Sequence, residues 1–170
     1  MVLVVVAGVL AAAPPVHAQE KVEVTGGYSF LNDTTNSQTF NGWTASVGGF
    51  FNRSFGVVGE VGGNYATISV LDTDLNISEF SFMGGPKYAA RVNPKVTPFA
   101  QFLVGGVRLS GALLGVSESE TDFAIQPGAG VDVGLAPNLA LRLQGDYRMV
   151  RSDGDTLNHF RFVIGITFHQ

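Results

Sequence analysis

Residues 139–149, LALRLQGDYRM, alternate without a break. Leu139, Leu141, Leu143, Gly145, Tyr147 and Met149 interleave with Ala140, Arg142, Gln144, Asp146 and Arg148. A period of two marks an extended strand, whose side chains point to opposite faces in turn. One face is apolar and the other carries three charges and an amide. A soluble sheet buries the leucines and wets the arginines. A membrane barrel gives the leucines to lipid and encloses the arginines.

The same alternation recurs along the chain. In VEVTGGYSF, Val22, Val24, Tyr28 and Phe30 oppose Glu23, Thr25 and Ser29; in WTASVGGFFN, Trp43, Ala45, Val47 and Phe51 oppose Thr44, Ser46 and Asn52. FGVVGEVGGNY sets Phe55, Val57, Val61 and Tyr65 against Glu60 and Asn64. EFSFMGGPKYAAR sets Phe80, Phe82, Pro86, Tyr88 and Ala90 against Glu79, Ser81, Lys87 and Arg91. DFAIQPGAGVDVGL and HFRFVIGITF follow suit, with Asp122, Gln126 and Asp132 in the former and His159, Arg161 and Thr167 in the latter on the polar side. Only TPFAQFLVGGVRLS resists, because Gln101 and Arg108 have opposite parity. Either a bulge shifts its phase or one of the two lies outside the apolar band.

Counting the opening stretch, these are eight segments. Their connections alternate in length. Residues 31–42, 67–78, 110–121 and 150–158 read as long polar loops, while 52–54, 92–96 and 135–138 are short links. Antiparallel strands with short turns at one rim and longer loops at the other are the plan of an outer-membrane barrel, with both termini on the short-turn side.

Composition narrows the choice. There are 22 glycines and no cysteine, and charged residues are 14% of the chain, against about a quarter in soluble domains. The missing cysteines exclude a disulfide scaffold, a thiolate metal site, a cysteine nucleophile and a lipoprotein anchor. A net charge of −4 gives no reason to expect nucleic acid. Residues 1–18, MVLVVVAGVLAAAPPVHA, read as a signal peptide ending at Val16-His17-Ala18, and 19–170 as the barrel domain. Beyond that leader, no stretch approaches the ~18 apolar residues of a membrane helix.

Three features assign the faces. The aromatics Trp43, Tyr65, Phe80, Phe123, Tyr147 and Phe160 fall near the long connections. Phe51, Phe55, Tyr88, Phe99 and Phe168 fall near the short ones, so two girdles flank an aliphatic band, as lipid interfaces favour. The polar face matches Glu23, Glu60, Glu79, Asp122, Asp132 and Asp146 with Lys87, Arg91, Arg142, Arg148 and Arg161. A narrow lumen needs such matching, since an unpaired buried charge costs several kcal/mol. Small residues fill the rest of this face, which suits an interior only just wide enough for side chains. A sixth hairpin turning at 136–138 sets Asp132 opposite Arg142, Gly130 opposite Gln144 and Gly128 opposite Asp146. A lipocalin-like soluble cup needs the reverse: an apolar lumen and a charged exterior.

FAIQPGAGVDVGL, LALRLQGDYRMV and the closing HFRFVIGITF resemble the eight-stranded outer-membrane β-barrel domain family, akin to the membrane domains of outer-membrane proteins A and X. FMGGPKYAARV and TPFAQFLVGG, residues 82–106, are similar to its fourth and fifth strands. The resemblance implies an outer-membrane location and insertion by the barrel assembly machinery, which reads a final aromatic. Family members usually end on that aromatic; here His169 and Gln170 follow Phe168. No peptidoglycan-anchoring role is expected.

The chemistry is therefore read as an all-β, eight-stranded antiparallel up-and-down transmembrane β-barrel without enzymatic activity or cofactor. Its lumen network is Glu23, Glu60, Lys87, Asp132, Arg142, Asp146, Arg148 and Arg161. Its girdle is Trp43, Tyr65, Phe80, Tyr88, Phe123, Tyr147, Phe160 and Phe168. The network reads as a plug, with a narrow porin-like channel as the alternative. LDTDLN and SDGDTLN lack calcium-loop spacing. The acids Asp33, Asp72, Asp74, Glu118, Glu120, Asp153 and Asp155 read as solvated, or as bridged by divalent ions to lipopolysaccharide. A barrel hydrolase would have to use His159 with Ser152 or Asp155, a grouping based on sequence proximity alone. The expected partners are outer-membrane lipid, lipopolysaccharide and the assembly machinery; no nucleic acid is expected, and the expected state is a monomer. Loops on the outer side suit adhesion as well.

Overall fold

Alternating segments with one apolar face have to pair with one another, and short links between them make sequential neighbours pair antiparallel. The computed structural model describes residues 22–33, 38–70, 73–91, 93, 95–113, 116–152 and 155–170. They form β1 (Val22–Asp33), β2 (Gln38–Phe50), β3 (Phe55–Val70), β4 (Thr73–Ala89), β5 (Val96–Leu113), β6 (Val116–Ala136), β7 (Leu139–Ser152) and β8 (Asp155–His169). Each strand pairs with its sequence neighbours, and β1 pairs antiparallel with β8, so the sheet closes into a barrel. Val22 and Gln170 exchange backbone hydrogen bonds of 3.2 and 2.9 Å at the end of this seam, which sets both described termini on the short-turn rim. The proposed leader, residues 1–18, lies outside the described residues.

Asp132 lies opposite Arg142, Gly130 opposite Gln144 and Gly128 opposite Asp146, as the hairpin arithmetic requires. The ladder shifts only past that point, between Gly134 and Ala136, where the turn at Pro137 and Asn138 begins. At another short turn, Asn52 Oδ1 accepts hydrogen bonds from the amides of Ser54 and Phe55, at 2.9 and 2.8 Å. Such a side-chain cap suits Asn in tight turns.

Strand β5 resolves its own ambiguity without a bulge. Its ladders to β4 and β6 run in one register, with Arg108 opposite Phe80 and Thr121. Gln101 is buried and Arg108 is exposed, so Arg108 is the residue that leaves the polar face. Phe99 shares the parity of Gln101 and is buried, which corrects its expected place in the lower girdle.

The four long connections differ from expectation. Most of their residues continue the strands: Val70 pairs with Thr73, Leu113 with Val116 and Ser152 with Asp155. A hairpin that rises past the apolar band keeps its backbone ladder but has no lipid to face. The alternation that identifies a strand fades there while the strand itself persists.

The outer face packs aromatics over glycines. Trp43 and Phe80 both neighbour Gly63, and their rings meet edge-on at 6.4 Å across it. A Cβ on Gly63 would lie 2.9 Å from the Trp43 indole nitrogen. Phe82 covers Gly106 in the same way. A ring laid over a glycine restores contact that the missing side chain leaves open.

Closure can be checked by crosslinking a chain that has no native cysteine. Tyr28 and Ile164 are exposed seam partners. Y28C/I164C, refolded in detergent, should form an intramolecular disulfide on mild oxidation. Y28C/F160C, offset by four residues or about 13 Å along the strand, should not.

Candidate functional site

Barrel closure turns the polar face of each strand inward, where eight strands leave room for side chains and little else. All eight residues expected in the lumen network are buried there. They fall into two groups.

Towards the short turns, Arg142 makes a fork to Asp132. Its Nε donates to Oδ1 and its Nη2 to Oδ2, both at 2.7 Å. The same Nη2 also donates to Glu23 Oε1 at 3.2 Å, and Lys87 donates to that oxygen from the opposite wall. Phe99 lies beneath both cations, its ring centroid 4.2 Å from Lys87 Nζ and 4.5 Å from the Arg142 guanidinium carbon. The ring face is electronegative, so it favours both. Arg91 stacks on Phe50 in the same manner, at 4.4 Å.

Deeper in the lumen, Arg161 holds two carboxylates. Its Nη2 donates to Glu60 Oε1 and to Asp146 Oδ2, each at 2.6 Å, and its Nε donates to Asp146 Oδ2 at 2.9 Å. Gln144 donates to Asp146 at 2.9 Å. Gln126 donates to Glu60 Oε1 at 3.1 Å and accepts from Arg148 Nε at 2.7 Å. Arg148 in turn pairs with Glu79 and donates to Ser81 Oγ at 3.3 Å. The amide of Gln126 thus joins two ion-pair clusters that neither carboxylate nor cation bridges alone.

Glycine makes the space. A Cβ on Gly128 would lie 1.9 Å from Asp146 Oδ1, and one on Gly130 would lie 2.6 Å from Phe99 Cζ. Asp146 and Phe99 therefore occupy volume that any other residue at these positions would claim.

Gln126, Gln144, Glu79, Phe50 and Phe99 complete the site beyond the expected eight. Parity marks all five as inward residues once Arg108 is set aside in β5. An apolar cluster of Val58, Met83, Leu103, Val107, Ala124 and Val150 also fills part of the interior. The inner face is thus less uniformly polar than its charges suggest. The eight girdle residues all face outward and are between 41% (Tyr147) and 58% (Phe123) exposed to whatever surrounds the barrel.

At the short-turn rim the lumen opens into a cup of about 940 Å³ lined by Arg91, Thr97, Asp132 and His169 among others. Its inner wall includes Glu23 and Asp132, whose cations Lys87 and Arg142 stand 1% exposed behind them. His159 and His169 sit ten positions apart on β8, roughly 33 Å along an extended strand. They do not share a site. The side chains of Asp33, Asp72, Asp74, Glu118, Glu120, Ser152, Asp153 and Asp155, which carry the calcium, bridging-ion and hydrolase readings, lie outside the described residues.

An apolar exterior around a paired, charged interior is the inverse of a soluble protein. The family model of the outer membrane protein beta-barrel domain matches residues 1–168. The chain belongs to this family. A search of curated proteins finds no match. Among solved structures it is similar to Ail, the attachment invasion locus protein of Yersinia pestis, crystallised with the heparin analogue sucrose octasulfate. That likeness has a TM-score of 0.66 at 19% identity, over 90% of this chain and 100% of Ail. Neisserial surface protein A matches with a TM-score of 0.67 at 14% identity, over 89% of this chain and 97% of its own. OprG of Pseudomonas aeruginosa matches with a TM-score of 0.61 at 10% identity, over 91% and 97%. These likenesses concern the fold. The outward apolar face of this outer-membrane barrel is its lipid-facing surface, and the eight charges of the network are buried inside it.

Two substitutions test the network. R161M strands Glu60 and Asp146 without their cation and should destabilise the barrel by about 3–5 kcal/mol. Urea unfolding in lipid vesicles measures the loss, and adding E60Q and D146N should recover much of it. G128A drives a methyl into Asp146 and should cost about 1–3 kcal/mol in the same assay.

Proposed function

We propose that this barrel serves a structural or surface-interaction role in the outer membrane, with its lumen closed by the ion-pair network. The observation that carries the reading is that Arg148 and Arg161, both cations of the deeper group, have no exposed side-chain surface at all. An open aqueous path would wet them. The cup at the short-turn rim is, on this reading, a blind entrance.

The outward hairpins support the surface part of the role. Strands β5 and β6 run for 18 and 21 residues. A strand needs only about 9–11 to cross a bilayer. The excess stands beyond the membrane as a ribbon, the part of the molecule in reach of other cells or molecules.

The remaining partners follow from the same reading. The barrel is exported through residues 1–18, inserted by the barrel assembly machinery through its final strand, and seated among outer-membrane lipid and lipopolysaccharide. It acts as a monomer, because closure leaves no strand edge for a second copy to pair with. Catalysis and nucleic-acid binding have no part in it.

Planar-bilayer recording tests the plug. The refolded wild-type barrel should give no discrete conductance steps. Steps that recur in the wild type and change size in R142Q or D132N would replace this reading with the narrow channel.

A further inference from the structure

The lipid-facing surface is almost free of charge. Among outward-facing strand residues whose side chains the structure describes, the only charged ones are Arg108 on β5 and Arg151 on β7, and both are exposed. They flank a single strand. Arg108 lies opposite Thr121 and Arg151 opposite Phe123, two neighbouring outward positions of β6. Strand spacing and rise put their backbones on the order of 12 Å apart, a span that two extended arginines can close around one headgroup. Each also borders the upper girdle, since Arg108 is opposite Phe80 on β4 and Arg151 is opposite Phe123.

A cation on the lipid face is least costly at this depth, where its long stem reaches the headgroup layer. Guanidinium is also the cation best matched to phosphate, through two parallel hydrogen bonds. The placement is one-sided. No outward-facing strand residue near the short turns carries a charge among those described; Arg53 and Lys95 lie in the turns themselves. Lipid phosphates line both leaflets, so a need for phosphate alone would place cations at both rims. A pair confined to the long-hairpin side suits a ligand confined to the outer leaflet.

We infer that Arg108 and Arg151, with Phe123 between them, form a lipid-facing clasp for the phosphate of an outer-leaflet phosphorylated glycolipid. This rests on the outer-membrane reading above and names the surface through which the barrel holds that lipid. Phe123 packs on the glycolipid's acyl or sugar portion while the two guanidinium groups take its phosphate oxygens.

The test uses native mass spectrometry of the refolded chain in a neutral detergent, each variant first checked for a heat-modifiable folded form. The probes are diphosphorylated lipid A, the same glycolipid stripped of phosphate, and phosphatidylglycerol. Wild type and R53Q should retain diphosphorylated lipid A equally, and R108Q/R151Q should need about tenfold more of it. R108K/R151K, which keeps the charge but loses the fork, should fall between. Removing the phosphates should bring wild type down to the level of R108Q/R151Q. Equal retention by wild type and R108Q/R151Q would overturn the clasp, as would phosphatidylglycerol binding that is as tight and as dependent on the two arginines. A wild-type chain that never gives a heat-modifiable form would instead sink the membrane-barrel reading on which the clasp rests.

Discussion

Backbone hydrogen bonding in a medium without water is the constraint on which the rest of this structure depends. Inside a bilayer each unpaired amide or carbonyl costs several kcal/mol, so a sheet that spans it cannot have edges. The β1–β8 seam removes the last edge, running from Glu23 opposite His169 to Asp33 opposite His159. Once the ring is closed, the number of strands sets its width, and eight leave a lumen that side chains fill. The charged residues of its network are buried. Ion pairing in the lumen is therefore a consequence of closure.

The paired interior has to satisfy two demands together, charge and volume. Arg142 is held by Asp132 and Glu23, and Arg161 by Asp146 and Glu60, so each of these two guanidinium groups meets two carboxylates. Volume is handled by setting large residues against glycines, as at Gly128 and Gly130. The outer surface applies the same device in reverse, laying Phe82 over Gly106. The abundance of glycine is thus a packing requirement on both sides of one thin wall.

Much of this was legible in the sequence, because a period of two reports the face of each residue directly. The reading faltered where that report is incomplete. The opposite parity of Gln101 and Arg108 leaves the facing of β5 open between a bulge and one residue outside the band; the strand is regular and Arg108 faces outward at the girdle. Treating parity as a proxy for polarity fails there, since an arginine can lie outside the lumen where headgroups receive it. Phe99 reads as a girdle aromatic by type alone, yet its ring lies in the lumen beneath Lys87 and Arg142. The long connections read as loops because strands beyond the membrane have no apolar side to show.

The sequence by itself determined the fold class, the number of strands, the inner and outer faces of nearly all of them, and an ion pair across the short β6–β7 turn. Asp132 and Arg142 are ten residues apart and meet across a short turn, so local register is enough to pair them. Only the tertiary structure decided which acid meets which cation across the barrel. Lys87 meets Glu23 over a separation of 64 residues, Arg161 meets Glu60 over 101 and Arg142 meets Glu23 over 119. Those heights are set by the stagger of all eight strands around the ring, a quantity that no single segment carries.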